Sequence, residues 1–280
     1  MAVPKRILIV DDDPAVHGQL VDALQAADRE IDSAHDGLKG LALIEATPYD
    51  LVLADLTLPG LDGLALLQRT RQLRPAARVV VITDSWTPED VVRSIREQAF
   101  AYFSKPLAMG TVVDIVASAL HGSSRNDDIQ LLSGRAQWLG VRMRCKIETA
   151  DRIVQFLREL PADLAHTDRE NIAAAFREIL VNAIEHGGGS DPKKWVYITY
   201  VRTARDILYY VRDPGKGFSL GDLPHAAISN PDGSPTGHAE VRDRLGLRPG
   251  GFGILLTRQL VDELIYNEAG NEALLIKHLT

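Results

Sequence analysis

Asp50-Leu-Val-Leu-Ala-Asp-Leu-Thr-Leu-Pro-Gly-Leu-Asp-Gly63 decides the fold of the first part of the chain. The apolar run 51–54 is long enough for a buried strand and too short for a helix, and it stops at Asp55. Pro59-Gly60 marks a turn. Asp62 then stands where a helix N-cap belongs, ahead of helical spacing over 64–73. The stretch therefore reads as strand, carboxylate, turn, helix.

The same unit recurs on both sides. A buried run at 7–10 ends at Asp11-Asp12-Asp13-Pro14, and an amphipathic segment follows over 15–27. Strands are expected at 31–34, at 79–82 ending at Thr83, and at 101–103 ending before Lys105-Pro106. Helices are expected at 38–46, 88–98 and 109–120. Five β/α alternations predict an α/β doubly wound parallel five-stranded sheet. Such sheets place their sites beyond the carboxyl ends of the strands.

The residues at those ends are Asp11, Asp12, Asp55, Thr83 and Lys105. Three converging carboxylates repel one another unless a proton or a cation intervenes. Mg2+, a hard cation that prefers oxygen ligands, resolves the conflict with Asp11, Asp12 and Asp55 as ligands. With a lysine charge and a threonine hydroxyl beside them, the set can hold a phosphoryl group on Asp55. Asp13 and Asp62 read instead as helix caps.

Val10-Asp-Asp-Asp-Pro14, the stretch 50–63, Val81-Ile-Thr83 and Tyr102-Phe-Ser-Lys-Pro106 together resemble a response-regulator receiver domain over about residues 4–121. The resemblance implies Mg2+ in a pocket made by Asp11 and Asp12, phosphorylation of Asp55, and phosphoryl contacts from Thr83 and Lys105. It implies that Tyr102 occupies the aromatic position that turns inward when the threonine moves. Lys105–Pro106 is a candidate cis peptide. Asp84 departs from the family, which carries a small residue there, and is expected to alter the lifetime of the phosphoryl group.

At 280 residues the chain suggests two domains. A net charge of −7 argues against a general grip on nucleic acid. The single cysteine, Cys145, excludes an intrachain disulfide and fits a reducing cytoplasm. Neither a signal peptide nor a membrane span is expected, so the expected location is cytoplasmic. The polar stretch 122–136 reads as a linker, with a short helical turn at 129–132, between domains at 1–121 and 137–280. Between about 122 and 170 there is no room for the dimerising helical hairpin of a histidine kinase. His166 falls beside an expected N-cap at Thr167, with Glu170 closing a capping box.

In the second half, 137–147 alternates as a half-buried strand, and helices are expected at 150–160, 169–186 and 254–264. Two strands at 195–201 and 206–212 flank a turn at 203–205, and a last strand spans 272–279. This order predicts an α+β sandwich, a mixed sheet with helices on one face. Glu178, Asn182 and His186 recur at steps of four on the helix, along one polar stripe beside an apolar face. Asp213-Pro-Gly-Lys-Gly-Phe218 follows a strand, where glycines let the backbone approach a flat ring. Pro249-Gly-Gly-Phe-Gly253 opens a helix, whose free N–H groups attract phosphate. Residues 219–248 read as a lid carrying Arg242, Arg244 and Arg248, with Lys216 just ahead of it.

Taken together, Glu-Xaa3-Asn-Ala-Xaa2-His-Gly, Asp-Pro-Gly-Xaa-Gly-Phe and Gly-Phe-Gly-Ile-Leu-Leu resemble the GHKL (Bergerat-fold) ATP-binding domain, and within it the anti-sigma-factor serine kinases. The resemblance implies that Asn182 ligates Mg2+ and that Asp213 reads the adenine amino group. It implies an adenine wall shaped by Gly215 and Gly217, a phosphate loop with Gly251 and Gly253, and contact of His186 with lid or phosphates. Glu178 would be the general base. The expected function is a two-component response regulator whose Asp55 phosphorylation controls an ATP-dependent serine/threonine kinase. Its expected partners are an upstream sensor histidine kinase, an anti-sigma-factor-antagonist protein as substrate and a sigma factor, with a homodimer as the assembly. The alternatives are an ATP-binding sequestration module without transfer and an atypical histidine kinase.

Overall fold

The computed structural model describes residues 3–217 and 253–279. It divides into two units: Met1–Gln130 with Asp151–Ala162, and Leu131–Ala150 with Asp163–Thr280.

The first unit alternates β1 (Lys5–Val10), α1 (Pro14–Leu24), β2 (Arg29–Ala34), α2 (Gly37–Ala46), β3 (Leu51–Asp55), α3 (Gly63–Leu73), β4 (Arg78–Thr83), α4 (Pro88–Arg96), β5 (Ala101–Ser104) and α5 (Met109–His121). The strands lie in the order β2-β1-β3-β4-β5, all parallel. Helices on both faces account for the unbroken apolar runs, since every residue of β3 is buried. Ile7, Ile9, Leu51, Leu53, Val80, Ile82 and Phe103 face a common core with Leu20 and Val116. Asp13 accepts from Ala15 N and Val16 N, and Asp62 from Ala65 N, so both act as the caps their positions predict. The strand order reverses between β1 and β3, and that crevice receives Asp11 and Asp55.

The second unit is built on an antiparallel sheet. Its elements are β6 (Ile129–Arg135), β7 (Trp138–Arg144), α7 (His166–Asn182), β8 (Trp195–Arg202), β9 (Asp206–Arg212), α8 (Gly253–Leu260), β10 (Glu263–Tyr266) and β11 (Glu272–His278), while α6 (Ile147–Leu157) begins in this unit and passes into the first at Asp151. The strands run β10-β11-β9-β8-β7-β6. Where a mixed sheet was expected, the pairings from β10 through β7 are antiparallel. One face buries Leu139, Val141 and Met143 of β7, Val196, Ile198 and Tyr200 of β8, and Ile207, Tyr209 and Val211 of β9. Phe176 of α7 packs on Tyr209 with ring centroids 5.0 Å apart.

Several expectations need correction here. Residues 129–135, expected as linker with a short helical turn, form strand β6, which extends the sheet beyond β7. The helix expected over 254–264 ends at Leu260, and Glu263–Tyr266 turns back as β10 against β11. α7 starts at His166 with Ala165 at its N-cap and no side-chain cap bond, so Thr167 and Glu170 lie inside the first turns rather than forming a capping box. α7 ends at Asn182, and a π turn, Ala183–Gly187, replaces the expected last turn.

Candidate functional site

The first cluster forms at the ends of β1, β3, β4 and β5. Asp11 and Asp55 are 1% and 3% exposed, and Thr83 is fully buried. One oxygen from each of Asp11, Asp12 and Asp55 lies within 4.8 Å of the others, with Asp12 at the exposed side. An all-oxygen donor set of this charge suits Mg2+. Lys105 Nζ reaches Asp55 Oδ2 at 2.5 Å and Asp11 Oδ2 at 3.0 Å. Burial pushes the Asp11 carboxyl up, against the hydrogen bonds from Lys105 and Asp13 N that favour its charge. Burial likewise works against the Lys105 charge, but the bonds to Asp55 and Asp11 outweigh it and hold its pKa above the ordinary value.

Thr83 Oγ1 donates to Ser85 O at 2.8 Å and accepts from Ser85 N at 3.2 Å, so the hydroxyl closes the loop after β4. Tyr102 is fully buried, its ring turned inward, and its hydroxyl meets no hydrogen-bond partner among the described residues. Asp84, next to Thr83, is exposed. Lys105–Pro106 is cis. The five residues that the sequence sets at strand ends are thus brought together.

The second cluster lies at the carboxyl end of α7. A Cβ on Gly253, the first residue of α8, would stand 2.6 Å from Glu178 Oε2 and 3.9 Å from Asn182 Nδ2. Glu178 and Asn182 therefore both approach the N-terminal end of α8, where backbone N–H groups lack helical partners. Buried Thr257 fastens this arrangement: its hydroxyl lies 2.9 Å from Gly253 O and 3.4 Å from Ala175 O on α7. Sequence reasoning missed Thr257; its only signal was a hydroxyl on the apolar side of a short helix.

Beyond the π turn, Asp213 at the end of β9 lies against Gly187 and Gly215. Gly215 N donates to Asp213 Oδ1 at 2.7 Å. A Cβ on Gly215 would fall 2.8 Å from Gly187 Cα, so the two backbones touch. Burial raises the Asp213 pKa and the Gly215 bond lowers it, with burial the larger. Gly217 holds φ +82 where its turn meets Ala269 of the β10–β11 connection, and Asn271 O accepts from Asp213 N at 3.0 Å. A half-buried carboxylate walled by bare backbone fits a flat heterocycle carrying an amino group.

Gly187 is part of this wall, a role that no feature of the sequence singled out. His186 is exposed on the π turn, whose i→i+5 bonding breaks the 3.6-residue repeat that put it in line with Glu178 and Asn182. Cys145 is buried against Gly188 and its thiol is pushed up to about 11 by burial, which keeps it protonated and inert. Gly251, Phe218, Arg242, Arg244, Arg248 and the expected lid at 219–248 lie outside the described residues.

Two family descriptions match this chain. "Response regulator receiver domain" covers residues 7–117, and "Histidine kinase-like ATPase domain" covers residues 144–277. The chain is a receiver domain followed by a histidine kinase-like ATPase domain of GHKL type. The transcriptional regulatory protein QseB of Haemophilus influenzae is 36% identical over 107 residues, 38% of this chain and 48% of that protein. The DNA-binding transcriptional regulator NtrC of Salmonella typhimurium is 31% identical over 41% of this chain and 24% of that protein. The chain thus spans about half or less of these curated relatives. A CheY-like receiver domain protein from Methanospirillum hungatei is 33% identical, covering 42% of this chain and 94% of that chain with a TM-score of 0.40. No helix among the described residues is long and apolar enough to cross a membrane.

Proposed function

We propose that the chain is a response regulator whose phosphorylation at Asp55 controls an ATP-dependent protein serine/threonine kinase. The observation that carries the kinase reading is that Glu178 and Asn182, one turn apart on α7, both approach the first residue of α8. A carboxylate one turn from a carboxamide, beside free N–H groups, divides two tasks between neighbours. Asn182 would hold the metal that accompanies ATP, and the N–H groups opening α8 would bind the phosphates. Glu178 orients the incoming serine hydroxyl and takes its proton as the oxygen bonds to the γ-phosphorus and ADP departs. Asp213 accepts the adenine amino group against the wall of Gly187 and Gly215.

In the receiver domain, Asp11, Asp12 and Asp55 would hold Mg2+, whose charge would offset that of the incoming phosphoryl group. Asp55 is the nucleophile. Lys105, already 2.5 Å from Asp55 Oδ2, supplies the fixed positive charge. Thr83 exchanges Ser85 O for a phosphoryl oxygen.

Of the partner classes, a sensor histidine kinase fits as phosphodonor, and an anti-sigma-factor-antagonist protein fits as the serine substrate, in a partner-switching pathway in the cytoplasm. The test is γ-labelled ATP with the full chain and a co-encoded antagonist-type protein. Acid-stable label on a serine of that protein, lost in Glu178→Gln while ATP binding persists, is the expected result. ATP binding with no transfer to any such partner instead establishes a sequestration module. Acid-labile label on a partner histidine would establish a histidine kinase.

A further inference from the structure

The segment Asp151–Ala162 belongs with the receiver domain, although in sequence it lies inside the ATPase family match. Its residues Ile153, Phe156, Leu157, Glu159 and Leu160 are buried. Phe156 faces Tyr102, ring centroids 6.4 Å apart. Arg152 is fully buried, donating from Nε to Phe100 O at 2.8 Å and from Nη1 to Ser124 Oγ at 2.6 Å, with its guanidinium 3.9 Å from the Phe100 ring centroid. An arginine and a glutamate without solvent exposure are costly unless their geometry is specified.

Glu159 makes two bonds whose positions are informative. Its Oε1 accepts from Ser104 Oγ at 3.0 Å, and its backbone carbonyl accepts from Trp86 Nε1 at 3.2 Å. Ser104 is the residue before Lys105, whose ammonium holds Asp55. Trp86 is the residue after Ser85, whose carbonyl and N–H are both held by the Thr83 hydroxyl. The two residues placed to grip a phosphoryl group are therefore each one short step from Glu159. Arg158 fixes the same carboxylate, Nε to Oε1 at 2.9 Å.

We propose that Glu159 is a phosphorylation-sensitive latch, a positioning residue that ties Asp151–Ala162 to the receiver domain until Asp55 is phosphorylated. This rests on the phosphoacceptor reading of Asp55. When Thr83 leaves Ser85 O for the phosphoryl group, the loop carrying Trp86 is freed; when Lys105 follows the phosphoryl oxygens, Ser104 moves with it. Both bonds to Glu159 then break. The inward Tyr102 hydroxyl, without a partner beneath Phe156, leaves that side of the contact easy to rearrange. The chain on either side of the segment is β7 with the start of α6, and α7 with Glu178 and Asn182 at its far end. Releasing the segment thus acts on elements that shape the nucleotide site.

Hydrogen–deuterium exchange on the full chain, with and without beryllofluoride and Mg2+, reads the latch directly. In the wild type, protection of the amides at 151–160 is expected to fall about tenfold on adding beryllofluoride, the effect of losing two hydrogen bonds. In Ser104→Ala/Trp86→Phe, which removes both donors while keeping an aromatic ring at 86, protection is expected to be low at the outset and insensitive to beryllofluoride. Ser104→Ala alone is expected to fall between. Altered exchange at 83–86 with unaltered protection at 151–160 overturns the latch alone. No change at 83–86 overturns the phosphoacceptor reading and the latch with it.

Discussion

The carboxylate of Asp213 occupies the space that a side chain on Gly187 would need: a Cβ there would lie 2.2 Å from Oδ1. The end of α7 and the end of β9 are thereby locked face to face, and both contribute backbone to one wall. Gly187→Ala is expected to displace Asp213 and lower ATP affinity at least about tenfold, because a clash of this depth cannot be relieved by a rotamer change. Calorimetric titration of ATP into both proteins measures it. Unchanged affinity removes Asp213 from the nucleotide site.

Asp213 also predicts a pH signature. Burial raises its pKa in the folded protein, so between 3.8 and that higher value the folded state binds more protons than the unfolded chain. Its carboxyl costs no stability below that window, and the cost develops as pH rises through it. Asp213→Asn keeps an acceptor for Gly215 N and removes the buried charge. The ATP-free protein is therefore expected to gain Tm at pH 7, to lose that gain below about pH 4, and to bind ATP poorly. Thermal melts across pH, with and without ATP, distinguish this from simple damage to the fold.

Lys105 is bonded to two nearly buried carboxylates and is itself 9% exposed at its side chain. Lys105→Ala leaves Asp11, Asp12 and Asp55 without that charge. The metal-free protein is expected to lose about 3 kcal/mol, as when one partner of a buried pair is removed. Mg2+ is expected to restore much of the loss and to bind more tightly than in the wild type, since an ammonium no longer competes for the same oxygens. Denaturant melts with and without saturating Mg2+ test both statements. A variant melting identically in both conditions would show that these carboxylates do not form a cation site.

Much of the receiver domain was legible in the sequence because β1, β3 and β4, buried in apolar runs, end next to or at the polar residues Asp11, Asp55 and Thr83. Asp13 and Asp62 could be set aside as caps, since each precedes a helix by the expected spacing. The second domain was less transparent. β6 was missed because its burial follows no alternation, and β10 because four residues after a helix continue the helical pattern too closely to mark a change. His186 was placed in line with Glu178 on the assumption of a regular helix, which the π turn breaks. The role of Asp151–Ala162 was invisible for another reason. Periodicity shows which face of α6 is apolar, but not which partner covers it, and nothing local indicates that Arg152 and Glu159 are buried.

The central claim, that Asp55 phosphorylation governs the ATP site, is tested most directly by ADP formation from Mg-ATP by the full chain, with and without acetyl phosphate as donor. In the wild type the rate is expected to change about fivefold or more, the scale of an ordinary coupling between sites. In Asp55→Asn it is expected not to respond. Equal rates with and without donor in the wild type, measured on protein shown to carry the phosphoryl group at Asp55, would contradict the account.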